Sequence, residues 1–374
     1  MLPSEVHSVT TDISIKHKPA FMVNFYITYK CNLDCSYCSS HDNSTDAIPL
    51  DQCLKTVDFI FQYTDIILSA KRKHEQRLAL NLIGGEPFTH PNAPEILEYI
   101  RNTYNEHYAT RWNLSLGVTT NGIVGKTQLE RCANLVDYWT VSYHTETTQK
   151  QKEITLKTIR FLYSKGRNPE VRVMAPPDDE KFNEAMGIHL KLKADGVTAL
   201  IKPINLAEYN KPVPLSYFKT NWKIKSDDNI NDYSTKKGIA CCSERPLILN
   251  NDRSQPTNFI PTSEFKNWFC AVNWNFLSIN HKSEVFHASC QVSMETSKIE
   301  PIGTIDESDV ILKRLSEQIN NKTVPVIRCP RESCTLGCGM CSIKASSKDE
   351  FIELLKIRLA DTSILRFDEN TFTS

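Results

Sequence analysis

The sequence predicts an α/β protein: a run of strand-then-helix units, then a small cysteine-rich region of hairpin and loops, then a terminal helix. Three observations carry that prediction. Strand-like and helix-like stretches alternate from about residue 20 to 205. Beyond residue 240 the texture turns loop-rich and dense in cysteine, which suits a small fold held by metal rather than by its own core. Finally, Ser347-Lys348-Asp349-Glu350 is a capping box that runs into Phe351-Ile352-Glu353-Leu354-Leu355, the opening of a packing helix.

Strands are expected at Met22–Thr28, Leu78–Ile83, Asn113–Thr119, Tyr138–Tyr143, Val171–Met174 and Thr198–Ile204. The helical patterns between them are Asp51–Ala70, Ala93–Tyr104, Lys126–Leu135, Lys152–Lys165 and Glu180–Ala194. The first shows a 3.6-residue apolar stripe, with Asp51 as its expected N-cap. Lys165-Gly166 and Asp195-Gly196 supply C-terminal stops for the fourth and fifth. Consecutive β-then-α units imply a parallel sheet with right-handed crossovers, either an open doubly wound sheet or a curved barrel. Periodicity does not choose between the two. The chain divides as 1–19 (an extension), 20–205 (the βα region), 206–240 (a bridge rich in turn residues), 241–345 (the cysteine-rich region) and 346–374 (the helical tail).

Lys+Arg and Asp+Glu both number 44, so the formal charge is zero, which argues against general affinity for nucleic acid or anionic membrane. No run approaches 18 apolar residues, so no membrane span is expected. Met1-Leu2-Pro3-Ser4-Glu5-Val6-His7 has neither a basic start nor an apolar core, so a cytoplasmic protein without a signal peptide is expected. In that setting, 13 cysteines point to metal or cluster ligation rather than disulfides. Cys53 shares a helical stripe with Leu50, Leu54, Val57 and Phe61, and Cys132 one with Leu129 and Leu135; both read as core.

The chemistry concentrates in Cys31-Asn32-Leu33-Asp34-Cys35-Ser36-Tyr37-Cys38, directly after the first strand. Three thiolates at this CxxxCxxC spacing can hold three irons of a 4Fe–4S cube and leave the fourth open. A zinc site completed by His41 is the alternative. One unit later, Gly84-Gly85-Glu86-Pro87 follows the second strand, where paired glycines allow close backbone approach and a carboxylate suits a cationic amino group. Val118-Thr119-Thr120-Asn121-Gly122 ends the third strand and Val141-Ser142-Tyr143-His144-Thr145-Glu146 the fourth. Ser142 and His144 share one face, because strand side chains alternate.

With these motifs, including Tyr37 before the third cysteine, the chain resembles the radical S-adenosylmethionine (SAM) superfamily. The resemblance implies a partial (β/α)6 TIM-like barrel. It also implies a SAM-binding 4Fe–4S cluster on Cys31, Cys35 and Cys38, with SAM contacts at Gly84, Gly85, Glu86, Asn121, Ser142 and His144. Further on, Trp268-Phe269-Cys270, Leu277-Ser278-Ile279, Val285-Phe286-His287-Ala288-Ser289-Cys290 and Cys329-x4-Cys334-x3-Cys338-x2-Cys341 resemble the SPASM/twitch extension of that family, although the usual hairpin glycine is replaced around Ser283. This implies one auxiliary 4Fe–4S cluster on Cys270, Cys290, Cys329 and Cys334, with Cys338 and Cys341 as competitors or as ligands of a second. Structural zinc on the last four cysteines is the alternative. Cys241 and Cys242 are adjacent, and one of them could join a further cluster.

The chemistry implied by the resemblance is reductive cleavage of SAM, with the electron coming from an external flavodoxin- or ferredoxin-type donor. The 5′-deoxyadenosyl radical then abstracts hydrogen from substrate. A peptide or protein side chain is the substrate the resemblance suggests. A small molecule such as a carbohydrate or nucleotide, or a non-catalytic Fe–S or zinc protein, are the alternatives.

Overall fold

The computed structural model describes residues 21–38, 42–71, 76–176, 178–204, 267, 269–270, 276–287, 300–321, 323–325, 327–328, 344–345, 347–349 and 366–368. The βα region forms as its periodicity predicts. Strands β1 (Phe21–Thr28), β2 (Arg77–Gly84), β3 (Asn113–Thr120), β4 (Tyr138–His144), β5 (Glu170–Ala175) and β6 (Ala199–Pro203) alternate with helices α1 (Leu50–Ser69), α2 (Ala93–His107), α3 (Lys126–Cys132), α4 (Gln149–Ser164) and α5 (Asp179–Ala194). The helix stops at Gly166 and Gly196 are present, with φ of 72° and 79°. Asp51 is not the N-cap of α1. That position falls to Pro49, which has no side-chain cap bond, and Asp51 lies in the first turn, where its charge still complements the helix dipole.

The strand order resolves the choice that periodicity left open. Strands β1 to β6 are neighbours in sequence order, and each pair is parallel. A doubly wound sheet needs a reversal of strand order so that helices cover both faces. Here right-handed crossovers in unbroken order put every helix on one face, and the other face must curl in upon itself. Burial follows that division. Phe21, Val23, Phe25 and Ile27 of β1, Leu78, Leu80 and Leu82 of β2, and Trp139, Val141 and Tyr143 of β4 join one continuous core with the helices. The intervening residues, Met22, Asn24, Tyr26 and Thr28 on β1, form the inner face, and they are buried too. Cys53 and Cys132 lie in the core with no exposure.

Beyond the βα region the sheet continues on the free side of β1. Strand β8 (Phe276–Ile279) pairs parallel with β1, β9 (Glu284–Phe286) pairs antiparallel with β8, and β10 (Gly303–Thr304) antiparallel with β9. Leu277, Ile279, Val285 and Ile305 belong to the same core cluster as β1. The β8–β9 turn is held by Asn280, whose Oδ1 accepts from the main-chain N–H groups of Lys282 and Glu284, both at 3.0 Å. Ser283 stands in that turn at φ 60°, the left-handed conformation a glycine would take without strain.

Helix α6 (Ser308–Asn320) is absent from the sequence-based expectation. It follows a turn whose capping box, Thr304 with Glu307, is a readable start signal, and it buries Ile311, Leu312 and Leu315 in the common core. Short strands complete the described part. β7 (Phe269–Cys270) lies between β12 (Ile327–Arg328) and β13 (Lys344–Ala345), and β11 (Thr323–Pro325) pairs with β14 (Arg366–Asp368). The tail thus contributes a strand that its reading as a helix did not foresee. The bridge at 206–240 and most of the tail helix lie outside the described residues. Among the described residues, no helix is long and apolar enough to cross a membrane.

Candidate cluster site

The cysteine loop leaves the C-terminal end of β1, and the ends of the next three strands converge on it. Its start is pinned by backbone: Gly85 N–H donates to Thr28 O at 3.0 Å and Glu86 N–H to Lys30 O at 2.8 Å. A Cβ on Gly84 would strike Thr28 O, and one on Gly85 would strike the carbonyl oxygens of Tyr29 and Lys30. These glycines therefore let the β2 end lie flat against the root of the loop. Within the loop, Cys31 N–H donates to Asn43 Oδ1 at 2.8 Å and Cys38 N–H to Cys35 O at 3.0 Å. On the other side of the root, Tyr29 packs against His281 of the β8–β9 turn, ring centroids 4.0 Å apart.

Glu86 turns its side chain into the protein. Its carboxylate is fully buried and accepts from Phe88 N–H at 3.1 Å, Thr120 Oγ1 at 2.8 Å and Asn121 N–H at 2.6 Å. Its oxygens tie the β2 end to the β3 end. Burial raises the Glu86 carboxyl to about 7 against the opposing pull of those three donors. The short turn Pro87–Thr89 is anchored in turn by Phe88, which stacks on Trp139 at 5.9 Å.

Asn121 is likewise committed, in this case to the cysteine loop. Its Oδ1 accepts from Ile123 N–H at 2.9 Å, and its Nδ2 lies 2.7 Å from Asn32 Oδ1 and 3.8 Å from Cys31 Sγ. The amide thus ties the β3 end to the cysteine loop.

Ser142 and His144 lie on the inner face of β4, since Tyr143, pointing the opposite way, reaches Glu184 on α5. Ser142 is half-buried and pairs across to Arg172 of β5. His144 meets the loop. Its Nδ1 is 2.6 Å from the Tyr37 hydroxyl and 3.4 Å from Cys35 Sγ, and its ring stacks on that of Tyr37. Burial pushes the imidazole down to about 4, with Lys202 adding to the effect and Glu146 opposing it, so His144 is neutral near pH 7.

Two parts of the site went unread in the sequence. Glu146 accepts from Ser36 N–H at 3.0 Å and from Ser36 Oγ at 2.7 Å, clamping the middle of the loop. Asn43 holds its start. Neither sits in a spacing that local chemistry makes conspicuous; Glu146 two residues beyond His144 was the only cue.

The three thiols differ in setting: Cys31 is half-buried, Cys35 buried and Cys38 exposed. Burial pushes the Cys35 thiol up to about 12 and raises Cys31 as well, with Cys38 adding to both as a like-charged neighbour. Without a cation Cys31 and Cys35 keep their protons, and metal binding must displace them. A cavity of about 390 Å³ opens beside Cys31 and Cys35, bounded further by Asn43, Glu146 and Thr148. Among the described residues, no three His, Cys, Asp or Glu side chains gather to hold a single metal ion. A cube binds each thiolate at its own corner, so its ligands need not meet at one point. The donor set of three thiols on one loop fits that group. His41, the candidate fourth zinc ligand, lies outside the described residues.

Of the expected auxiliary ligands, only Cys270 falls on a described element. The β7 ladder sets it opposite Ile327 on one side and Lys344 on the other. Cys290, Cys329, Cys334, Cys338 and Cys341, with Cys241 and Cys242, lie outside the described residues.

Comparison with known proteins adds three findings. Residues 25–172 match the family model described as the Radical SAM superfamily. The chain is 29% identical over 127 residues to the antilisterial bacteriocin subtilosin biosynthesis protein AlbA of Bacillus subtilis, covering 33% of this chain and 24% of that protein. The matched part is thus about a quarter of the relative's length. In fold, the chain is similar to native anSMEcpe with bound AdoMet and the Kp18Cys peptide, with a TM-score of 0.50 and 11% identity over 80% of this chain and 81% of that one. Streptococcus suis SuiB bound to its precursor peptide SuiA aligns with a TM-score of 0.47 and 12% identity, over 90% of this chain and 74% of that one.

Proposed function

We propose that the chain, whose residues 25–172 match the Radical SAM superfamily model, is a radical SAM enzyme that modifies a peptide or protein side chain by hydrogen abstraction. The observation that carries this reading is the setting of Cys31, Cys35 and Cys38. The loop that bears them hangs from the end of β1, and groups from the ends of β2, β3 and β4 brace it. A 4Fe–4S cluster with SAM at its open iron supplies, when bound, one-electron cleavage of SAM to a 5′-deoxyadenosyl radical. In this reading Cys31, Cys35 and Cys38 hold three irons. The main chain of Gly84 and Gly85 and the inner-face side chain of Ser142 orient SAM, and the curled inner face of the sheet excludes water from the radical. A flavodoxin- or ferredoxin-type donor delivers the electron.

Support for an auxiliary cluster comes from backbone topology. Strands β12 and β13 flank the cysteine run that starts at Cys329, and both pair with β7, which carries Cys270. Support for a peptide substrate comes from the Bacillus relative, named for the biosynthesis of a bacteriocin.

The test is anaerobic reconstitution with iron and sulfide, reduction, and assay of 5′-deoxyadenosine released from SAM. Release by wild type and none by Cys35→Ala is the expected pair of results. No release by wild-type protein that holds four or more irons per chain would sink the enzymatic reading, roughly four marking one cluster and roughly eight two. Peptide encoded beside this chain's gene is the first substrate to offer. Its mass change distinguishes oxidation or cross-linking from no reaction.

A further inference from the structure

We propose that Asn121 is a positioning residue for the iron–sulfur cluster, setting its reduction potential through an N–H···S hydrogen bond to Cys31. This rests on the reading above only in requiring a cluster on the loop.

The geometry leaves Asn121 no freedom. Its main-chain N–H is held at 2.6 Å by buried Glu86, and its carbonyl accepts from Thr155 Oγ1 at 2.9 Å. Its Oδ1 takes the N–H of Ile123, which fixes which end of the amide is nitrogen. The nitrogen must therefore face the loop. One of its two N–H groups goes to Asn32 Oδ1 at 2.7 Å, and the other is directed at Cys31 Sγ, 3.8 Å away. Asn32 is oriented as firmly, because its own Nδ2 donates to Ile123 O at 3.0 Å. Leu33 N–H, at 3.4 Å, gives the same sulfur a second donor.

Donors on a ligating sulfur withdraw electron density and stabilise the reduced cluster, so they raise its potential. Asn121 can be adjusted without touching a ligand. Asn32 Oδ1 holds the amide nitrogen at 2.7 Å while Cys31 Sγ stands 3.8 Å away, so removing Asn32 lets the amide settle closer to the sulfur.

The experiment is a redox titration of anaerobically reconstituted full-length protein followed by electron paramagnetic resonance. The relevant signal is the one that Cys31→Ala abolishes. Asn121→Leu removes the donor without adding charge and should lower the midpoint, shifting the reduced-to-oxidised ratio at fixed potential about tenfold, or about 59 mV for a one-electron couple. Asn32→Ala frees the amide for Cys31 and should raise the midpoint. Shifts of opposite sign support the proposal; a purely structural role would loosen the loop in both variants and move them the same way. A midpoint unchanged in both, or moved in the same direction, overturns it. If Asn121→Leu loads no iron, Asn32→Ala decides alone: an unchanged or lowered midpoint overturns the proposal. A wild-type protein with no signal that Cys31→Ala removes counts instead against the cluster reading itself.

Discussion

Glu86 offers the sharpest test of how the site is held, because its two oxygens have fixed and different partners. Oε1 accepts from Phe88 N–H and Thr120 Oγ1, and Oε2 from Asn121 N–H. In Glu86→Gln the amide nitrogen has to replace one oxygen, and either choice turns it toward a buried main-chain N–H. Leaving such a donor unmet costs about 1–3 kcal/mol. The pH dependence is more specific. Burial raises the folded-state carboxyl from 4.5 to about 7, so between those values the folded chain binds more protons than the unfolded one. That contribution to stability is fully present below 4.5 and is lost as pH rises through 7. Glutamine has no such term. The wild-type unfolding free energy minus that of Glu86→Gln should therefore fall by ~2 kcal/mol from pH 5.5 to 8.5. Urea unfolding of both proteins, prepared identically, reads this difference directly. A difference that stays flat across the window would mean that the three donors outweigh burial and keep Glu86 ionised throughout, and the reasoning fails.

Three further outcomes follow from features of the fold. Gly85→Ala drives a Cβ into two main-chain oxygens at the root of the cysteine loop, and should cost about 1–3 kcal/mol and lower iron content per chain after reconstitution; full loading would show that the root can move. Ser283→Gly relieves a left-handed serine and should stabilise by roughly 1 kcal/mol in a thermal melt. Leu315→Ala on α6 should destabilise by about 2–5 kcal/mol, since its side chain is 3% exposed in the shared core, and a loss under about 1 kcal/mol would separate that helix from the core.

What the sequence disclosed follows from the range of the interactions involved. Strands and helices of the βα region were legible to within a few residues at each end, because each is set by local periodicity and its own stop signals. The cysteine loop was legible for the same reason, its three cysteines falling within eight residues. The tethers of Glu86 and Asn121 to the β3 end and the cysteine loop were illegible because those partners lie 34 to 90 residues away, and a motif says nothing about which way a side chain turns. The strands β8 to β10 were seen as a hairpin region, but their union with β1 was not. A strand of four residues carries too little pattern to name a neighbour so distant in the chain. Helix α6 was missed although Thr304 and Glu307 marked its approach.

The position of β1 has a consequence for the order of assembly. It is an inner strand with β2 on one side and β8 on the other, and Met22 pairs with both Ala79 and Phe276. The first partner leaves the ribosome within about 60 residues of β1; the second comes some 250 residues after it. Through most of synthesis β1 is therefore an edge strand, with one line of N–H and C=O groups bare and a long loop still to close. The loop of Cys31 hangs from that half-built strand, and His281, which packs on Tyr29 at its root, arrives with the late partner. A nascent chain halted before residue 276 carries the braces from β2, β3 and β4 but lacks the packing of His281 on Tyr29. An exposed strand edge with a long loop still to close makes this the aggregation-prone stage of assembly.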